Sequence, residues 1–205
     1  MRAIRLQLAN KTLLNAGVPQ WERAPRAQIA LRGTEAAAQP SAYVRTAWAG
    51  RRIGAVRSLS VQAAHNRQNL FFRLEWADPT HNADYGDGSV FPDAAAVLFP
   101  TNGEAPLSLM GSAGAGIQAW YWRANHPDYG EALAFHGLAT EERRPAPLVL
   151  TSAAWTEGRW RVVIGGQLTG GSVAGAVGFA VWEGGNQERA GLHSCSHEWL
   201  ELSIE

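Results

Sequence analysis

Leu70-Phe71-Phe72-Arg73-Leu74-Glu75-Trp76 alternates: residues 70, 72, 74 and 76 are apolar, while 73 and 75 are charged. Successive side chains of a strand point to opposite faces, so this stretch lays one face on a core. Arg159-Trp160-Arg161-Val162-Val163-Ile164 repeats the pattern, with Trp160, Val162 and Ile164 facing away from Arg161. The same reading gives strands at 3–8, 27–31, 42–49, 58–64, 70–76, 94–99, 117–123, 148–155, 159–168, 173–182 and 198–204. Asp78-Pro79, Gly86-Asp87-Gly88, Glu157-Gly158 and Gly170-Gly171 are turn signals, and Thr156-Glu157-Gly158 joins two strands as a hairpin. Residues 36–41 and 141–147 read as polar or proline-bearing loops. A short helix is a candidate at 127–133, weakened by Asp128, Tyr129 and Gly130. No internal repeat is evident. Many short strands at regular spacing predict an all-β, antiparallel β-sandwich with few short helices, in one domain over 1–205.

The composition fits. The 205 residues include 22 glycines and nine tryptophans, and 46% are hydrophobic, so the chain can bury a large core. Eighteen basic and 18 acidic side chains cancel. That balance argues against nucleic acid, which needs a basic surface. No apolar run approaches the roughly 20 residues that span a bilayer. A single cysteine, Cys195, excludes an internal disulfide and a cysteine-only zinc site. The first eight residues alternate like a strand rather than forming the apolar stretch of a secretory signal. The expectation is therefore either a cytoplasmic chain or one whose signal has been removed.

Enzyme motifs are missing. There is no G-x-S-x-G elbow and no H-E-x-x-H. Gly111-Ser112-Ala113-Gly114-Ala115-Gly116 is glycine-rich but lacks the lysine of a phosphate loop. Asp84, Asp87 and Asp93 are candidates for calcium, which takes several oxygens, or for a solvated loop using Asp and Gly for its turns. His65, His81, His126 and His136 are scattered. His193-Ser194-Cys195-Ser196-His197 is denser; in a strand, 193, 195 and 197 point the same way. Met110 is the sole methionine after the first residue. It reads as a core residue filling a gap, or as a thioether ligand to haem iron with small residues beside it.

Three stretches weigh toward the ligand. They are Phe91-Pro92-Asp93-Ala94-Ala95-Ala96-Val97-Leu98-Phe99-Pro100; then Leu109-Met110-Gly111 with Ile117-Gln118-Ala119-Trp120-Tyr121-Trp122-Arg123; and Val177-Gly178-Phe179-Ala180-Val181-Trp182-Glu183-Gly184-Gly185-Asn186-Gln187-Glu188-Arg189-Ala190-Gly191. In order and spacing the chain resembles the haem b-binding gamma subunits of the ethylbenzene dehydrogenase and dimethylsulfide dehydrogenase type, whose selenate and chlorate reductase counterparts are similar. The opening strand with Leu13-Leu14 and Trp21 shares the likeness.

The resemblance implies a β-sandwich holding one haem b in a pocket between loops and sheet ends. It implies a molybdenum-bis(guanylyl dinucleotide) catalytic alpha subunit and an iron–sulfur beta subunit as partners. The gamma subunit itself would do no substrate chemistry. It would exchange electrons with an external carrier, a soluble cytochrome c being one candidate, in the periplasm. The family's methionine ligand falls on Met110. Its other ligand, a lysine after "E-R-x-G-x", is replaced here by His193; the sole lysine, Lys11, matches no motif. His193 is the expected second ligand, because imidazole binds iron and is neutral near pH 7, with His197 and Cys195 as alternatives. Trp120 and Trp122 share a strand face beside the cofactor; Tyr121 and Arg123 face the other way, with Arg123 a candidate partner for a haem propionate. Glu188-Arg189 would pair or fix the turn before His193. Two other classes compete: a carbohydrate-binding module, which nine tryptophans would suit, and a structural subunit that kept the fold without the haem.

Overall fold

The structure, a computed structural model, describes residues 1–86, 88–102, 105–145, 148–168 and 175–205. Asp87, the Gly170-Gly171 turn signal and the beginning of the strand expected from 173 lie outside these residues. The first six strands are β1 (Arg2–Arg5), β2 (Ala27–Gly33), β3 (Ser58–His65), β4 (Asn69–Ala77), β5 (Ala94–Pro100) and β6 (Ile117–Arg123). Next come β7 (Gly130–Phe135), β8 (Glu142–Arg144), β9 (Leu150–Thr156), β10 (Arg159–Gln167) and β11 (Ala176–Trp182). β12 (Ser194–Ser196), β13 (Leu200–Glu201) and β14 (Ser203–Ile204) close the chain. Two short helices, α1 (Asn10–Leu14) and α2 (Ala42–Ala47), sit in the connections.

Pairing runs β8-β7-β6-β5-β11-β12-β2-β3-β4-β10-β9. β2 belongs to both layers: its Leu31–Gly33 end pairs with β12 and its Ala27–Ala30 end pairs with β3. One layer is therefore β3, β4, β10 and β9, and the other is β8, β7, β6, β5, β11 and β12. Most pairs are antiparallel; β1 runs parallel to β3 and to β14.

Side-chain parity then builds three apolar compartments. Leu70, Phe72, Leu74, Trp76, Val162 and Ile164 of the first layer meet Val97, Phe99, Trp120, Trp122, Phe179 and Val181 of the second. Each such buried side chain contributes roughly 1.5–3 kcal/mol. Trp122 and Trp160 meet edge to face at 5.0 Å between ring centroids, a geometry favoured by the ring quadrupole. The outer face of the first layer, with Phe71 and Val163, is covered by Leu13 of α1 and by Trp21. The outer face of the second layer carries Ala94, Ala96, Leu98, Ala119, Leu133, Ala180 and Trp182, and Met110 packs onto it.

Two expectations are corrected. Residues 42–49 are not a strand: Ser41 caps α2 by accepting from the Val44 amide at 3.4 Å, and the buried Trp48 ends it. Residues 127–133 are not a helix: Gly130 opens β7, where a β-carbon would lie 2.4 Å from Val149 Cγ1, so only a glycine allows that approach. The expected 198–204 strand is broken into β13 and β14. The Thr156-Glu157-Gly158 hairpin forms between β9 and β10, with positive φ at Glu157 (53°) and Gly158 (69°).

Candidate functional site

Met110 ends a 3₁₀ turn at Leu107–Leu109, in the left-handed region at φ 54°, ψ 43°. Gly111 follows at φ 87°; a β-carbon there would stand 2.8 Å from the Ala115 carbonyl oxygen. This pair of positive φ values turns the chain back, and the Gly137 amide donates to the Met110 carbonyl at 3.0 Å. The Met110 side chain is thereby laid over the outer face of the second layer.

There it lines a cavity of about 310 Å³ together with Tyr121, Phe135, Leu138, Trp182 and Gly191. That size lies at the lower end of the roughly 300–1,000 Å³ typical of preformed ligand sites. The cavity shares Tyr121, Glu141, Trp182 and Ala190 with a second recess of about 140 Å³, lined also by Arg123 and Arg189. Arg123 donates to the Tyr85 hydroxyl at 2.8 Å, and its buried Nε has no partner. Arg189 stacks over Phe91, its guanidinium carbon 4.2 Å from the ring centroid.

His193 lies behind the wall. Its side chain is fully buried and packs on Trp182, with ring centroids 4.9 Å apart. Nδ1 lies 3.3 Å from the Ala190 carbonyl, which can only accept, so the hydrogen sits on Nδ1. Nε2 is buried with no hydrogen-bond partner. Burial pushes the imidazole pKa down to about 4, so the ring is neutral near pH 7 and Nε2 keeps its lone pair. The segment is pinned by the chain that follows β2, its neighbour in the same layer. Thr34 donates through Oγ1 to the Gly191 carbonyl at 2.7 Å, and Gln39 donates to the same oxygen at 2.9 Å.

The other expected residues are placed apart from the cavity. Trp120 and Trp122 point into the central core, on the face of β6 opposite Tyr121; they back the cavity wall without lining it. His197 is exposed. Cys195 is buried, and burial pushes its thiol up to about 11, so it carries no thiolate at neutral pH. Lys11 sits on α1, beside a depression of about 710 Å³ over the outer face of the first layer. Glu188 fixes the turn through backbone amides rather than through Arg189: Oε1 accepts from Gly54 at 2.7 Å and Ala55 at 2.9 Å, and Oε2 accepts from Glu183 at 3.1 Å. Thr34, Gln39, Phe135 and Leu138 are residues that the sequence did not mark for this site; Arg189, read there as part of the turn before His193, lines the neighbouring recess.

A two-layer antiparallel β-structure with an apolar, arginine-edged cavity on one outer face defines the class. Solved structures share the fold. A family 9 carbohydrate-binding module from Caldicellulosiruptor kristjanssonii in complex with glucose superposes over 100% of this chain and 96% of its own, with TM-score 0.56 and 10% identity. Its cellotriose complex gives TM-score 0.52. The chain belongs to the ethylbenzene dehydrogenase family, whose model matches residues 18–146, and to the gamma subunits of type II molybdoenzymes within it. Chlorate reductase subunit gamma of Ideonella dechloratans is 33% identical over 92% of this chain and 80% of its own length. A candidate respiratory nitrate reductase heme subunit of Haloferax mediterranei is 35% identical over 72% of this chain. Dimethylsulfide dehydrogenase subunit gamma of Rhodovulum sulfidophilum is 29% identical over 70% of it. The chain spans 56% and 59% of the lengths of these last two. Among the described residues, no helix is long and apolar enough to cross a membrane.

Proposed function

We propose that this chain is a non-catalytic electron-transfer subunit that would hold one haem b at the Met110 cavity, with Met110 and His193 as the residues that would bind its iron. The observation that carries this reading is the His193 Nε2 lone pair, buried, neutral and unpartnered, one indole away from a cavity lined by the only thioether near it. A buried polar atom without a partner costs about 1–3 kcal/mol, and an iron–nitrogen bond would remove that cost. The donor set fits the group: a thioether, an imidazole, apolar walls and two guanidinium groups at one edge. The relatives' names support it, one of them being that of a heme subunit.

When bound, the group supplies one-electron transfer, with methionine ligation favouring the reduced iron. The chain's own residues do the rest. The Ala190 carbonyl holds the hydrogen on Nδ1 and thereby aims the His193 ring. Trp182 lines the cavity and carries the His193 ring against its inner face, so it would sit beside the bound group. Phe135 and Leu138 exclude water. Arg123 and Arg189 provide charge for two carboxylates, where a guanidinium pairs strongly. Trp120 and Trp122 hold β6 from behind.

By the same reading, the partners are a molybdenum catalytic alpha subunit and an iron–sulfur beta subunit, with an external carrier such as a soluble cytochrome c, in the periplasm. The test is reconstitution of the full chain with haem. One equivalent bound, with sharp Soret, α and β bands on reduction, is the expected result. No haem uptake together with affinity for a polysaccharide would overturn the reading in favour of a binding module.

A further inference from the structure

Three carboxyl groups meet at strand ends drawn from both layers. Asp78 follows β4, Asp93 precedes β5 and Glu183 follows β11. One oxygen from each lies within 4.8 Å of the others, and all three residues are buried. Asp93 is tied down by three donors: the Gly184 amide at 2.9 Å, the Asn82 amide at 3.0 Å and Trp160 Nε1 at 3.0 Å. Glu183 Oε1 accepts from the Gly185 amide at 2.9 Å, and Asp78 Oδ1 accepts from the Thr80 amide at 3.0 Å.

Asp78 supplies the second, independent observation. It is fully buried, and its Oδ2 has no hydrogen-bond partner. The carboxyl group beside Asp78 is that of Glu183, with the Trp76 indole nearby, and neither comes within hydrogen-bond distance of Oδ2. Among the described residues no basic side chain forms an ion pair with any of the three. Burying one unpaired carboxylate is costly, and gathering three makes the cost mutual. More oxygen stands close by. Asn82 Oδ1 and Glu183 Oε1 each lie 3.0 Å, and Thr80 Oγ1 3.2 Å, from the point where a side chain on Gly185 would begin. A glycine at 185 therefore lets these oxygens converge, and Thr80 Oγ1 donates to Asn82 Oδ1 at 2.8 Å.

We propose that Asp78, Asp93 and Glu183, with Asn82 and Thr80 beside them, form a structural site for a divalent cation of the calcium class. A hard cation takes six to eight oxygen ligands, and this cluster offers carboxylate, amide and hydroxyl oxygens with no nitrogen or sulfur donor. The site differs from the Asp84-Asp87-Asp93 loop read from the sequence. Asp93 turns inward to Asp78 and Glu183, Asp84 is exposed, and Asp87 lies outside the described residues. The cation would bind the end of β4 in one layer to β5 and β11 in the other. It would also anchor the turn after Trp182 that leads to His193. The inference stands apart from haem binding, since none of these five residues lines the Met110 cavity.

The experiment takes the full chain stripped with EDTA, then equilibrated with calcium chloride or magnesium chloride and washed. Metal content is read by mass spectrometry and melting temperature by circular dichroism. The expected result is one calcium per chain, and a melting temperature raised by about 5–10 °C at calcium one hundred times the dissociation constant. Glu183→Gln and Asp78→Asn should each abolish that rise. Should the variants not fold, the unmodified chain decides. Calcium below 0.1 equivalent, approximately, with a melting temperature indifferent to calcium and EDTA would overturn the proposal, leaving three carboxyl groups that share protons.

Discussion

Trp182 and His193 are joined twice: their rings pack at a tilt of 39° with centroids 4.9 Å apart, and both reach the carbonyl of Ala190, through Nε1 at 2.9 Å and Nδ1 at 3.3 Å. One oxygen thus orients the cavity wall and the imidazole behind it. Trp182→Phe keeps an aromatic ring against His193 and removes one donor. It should cost about 1 kcal/mol in denaturant unfolding of the haem-free chain. An unchanged midpoint would show that the shared carbonyl does not hold the pair.

Gly111→Ala should destabilise the chain by about 1–3 kcal/mol, because φ of 87° is strained for alanine and its β-carbon meets the Ala115 carbonyl. The same change should weaken haem uptake, since Met110 is aimed by this turn. Denaturant unfolding and a haem titration measure the two effects separately.

Trp120→Ala should cost about 3–5 kcal/mol by opening a cavity in the central core. Any haem retained should keep an unchanged low-spin spectrum, because Trp120 backs the wall without lining it. A changed axial spectrum in the folded variant would return Trp120 to the cofactor's own surroundings.

The strands at 70–76 and 159–164 were legible because the side chains entering the central core alternate with Arg73, Glu75 and Arg161, which stamps a period of two on the sequence even though Phe71 and Val163 on that second face are covered. That parity also told Tyr121 and Arg123 apart from Trp120 and Trp122, although not which pair would line a cavity. The alanine-rich 42–49 stretch misled: alternation over so few residues is weak against a serine cap and good helix formers. Gly130 looked like a breaker of a helix, whereas its role is to admit Val149. Thr34 and Gln39 were invisible, since their partner Gly191 lies 157 and 152 residues away. The carboxyl cluster was hidden for the same reason, its members being brought together from three separate strand ends.

The pH dependence of the metal-free chain follows from that cluster. Burial and mutual repulsion push Asp93 up to about 7 and Glu183 up to about 8. The folded chain therefore holds protons that the unfolded chain releases above about pH 4. The stability these groups contribute is present below that point and is lost as pH rises through 7 to 8. In EDTA, unfolding free energy should fall over this range relative to the same chain in calcium. His193, lowered to about 4, gives the opposite slope between about 6.5 and 4, and it cancels in the comparison. Equal pH profiles with and without calcium would contradict the assignment.

The central claim is the pairing of Met110 with His193 at one haem, and the axial-ligand spectrum of the reconstituted full chain tests it most directly. Met110→Ala and His193→Ala should each convert a low-spin spectrum to high-spin or lose the haem, with external imidazole restoring the low-spin bands in the histidine variant. Met110→Ala should also lower the potential where haem remains. A low-spin spectrum that survives His193→Ala but disappears in His197→Ala or Cys195→Ala would contradict the account.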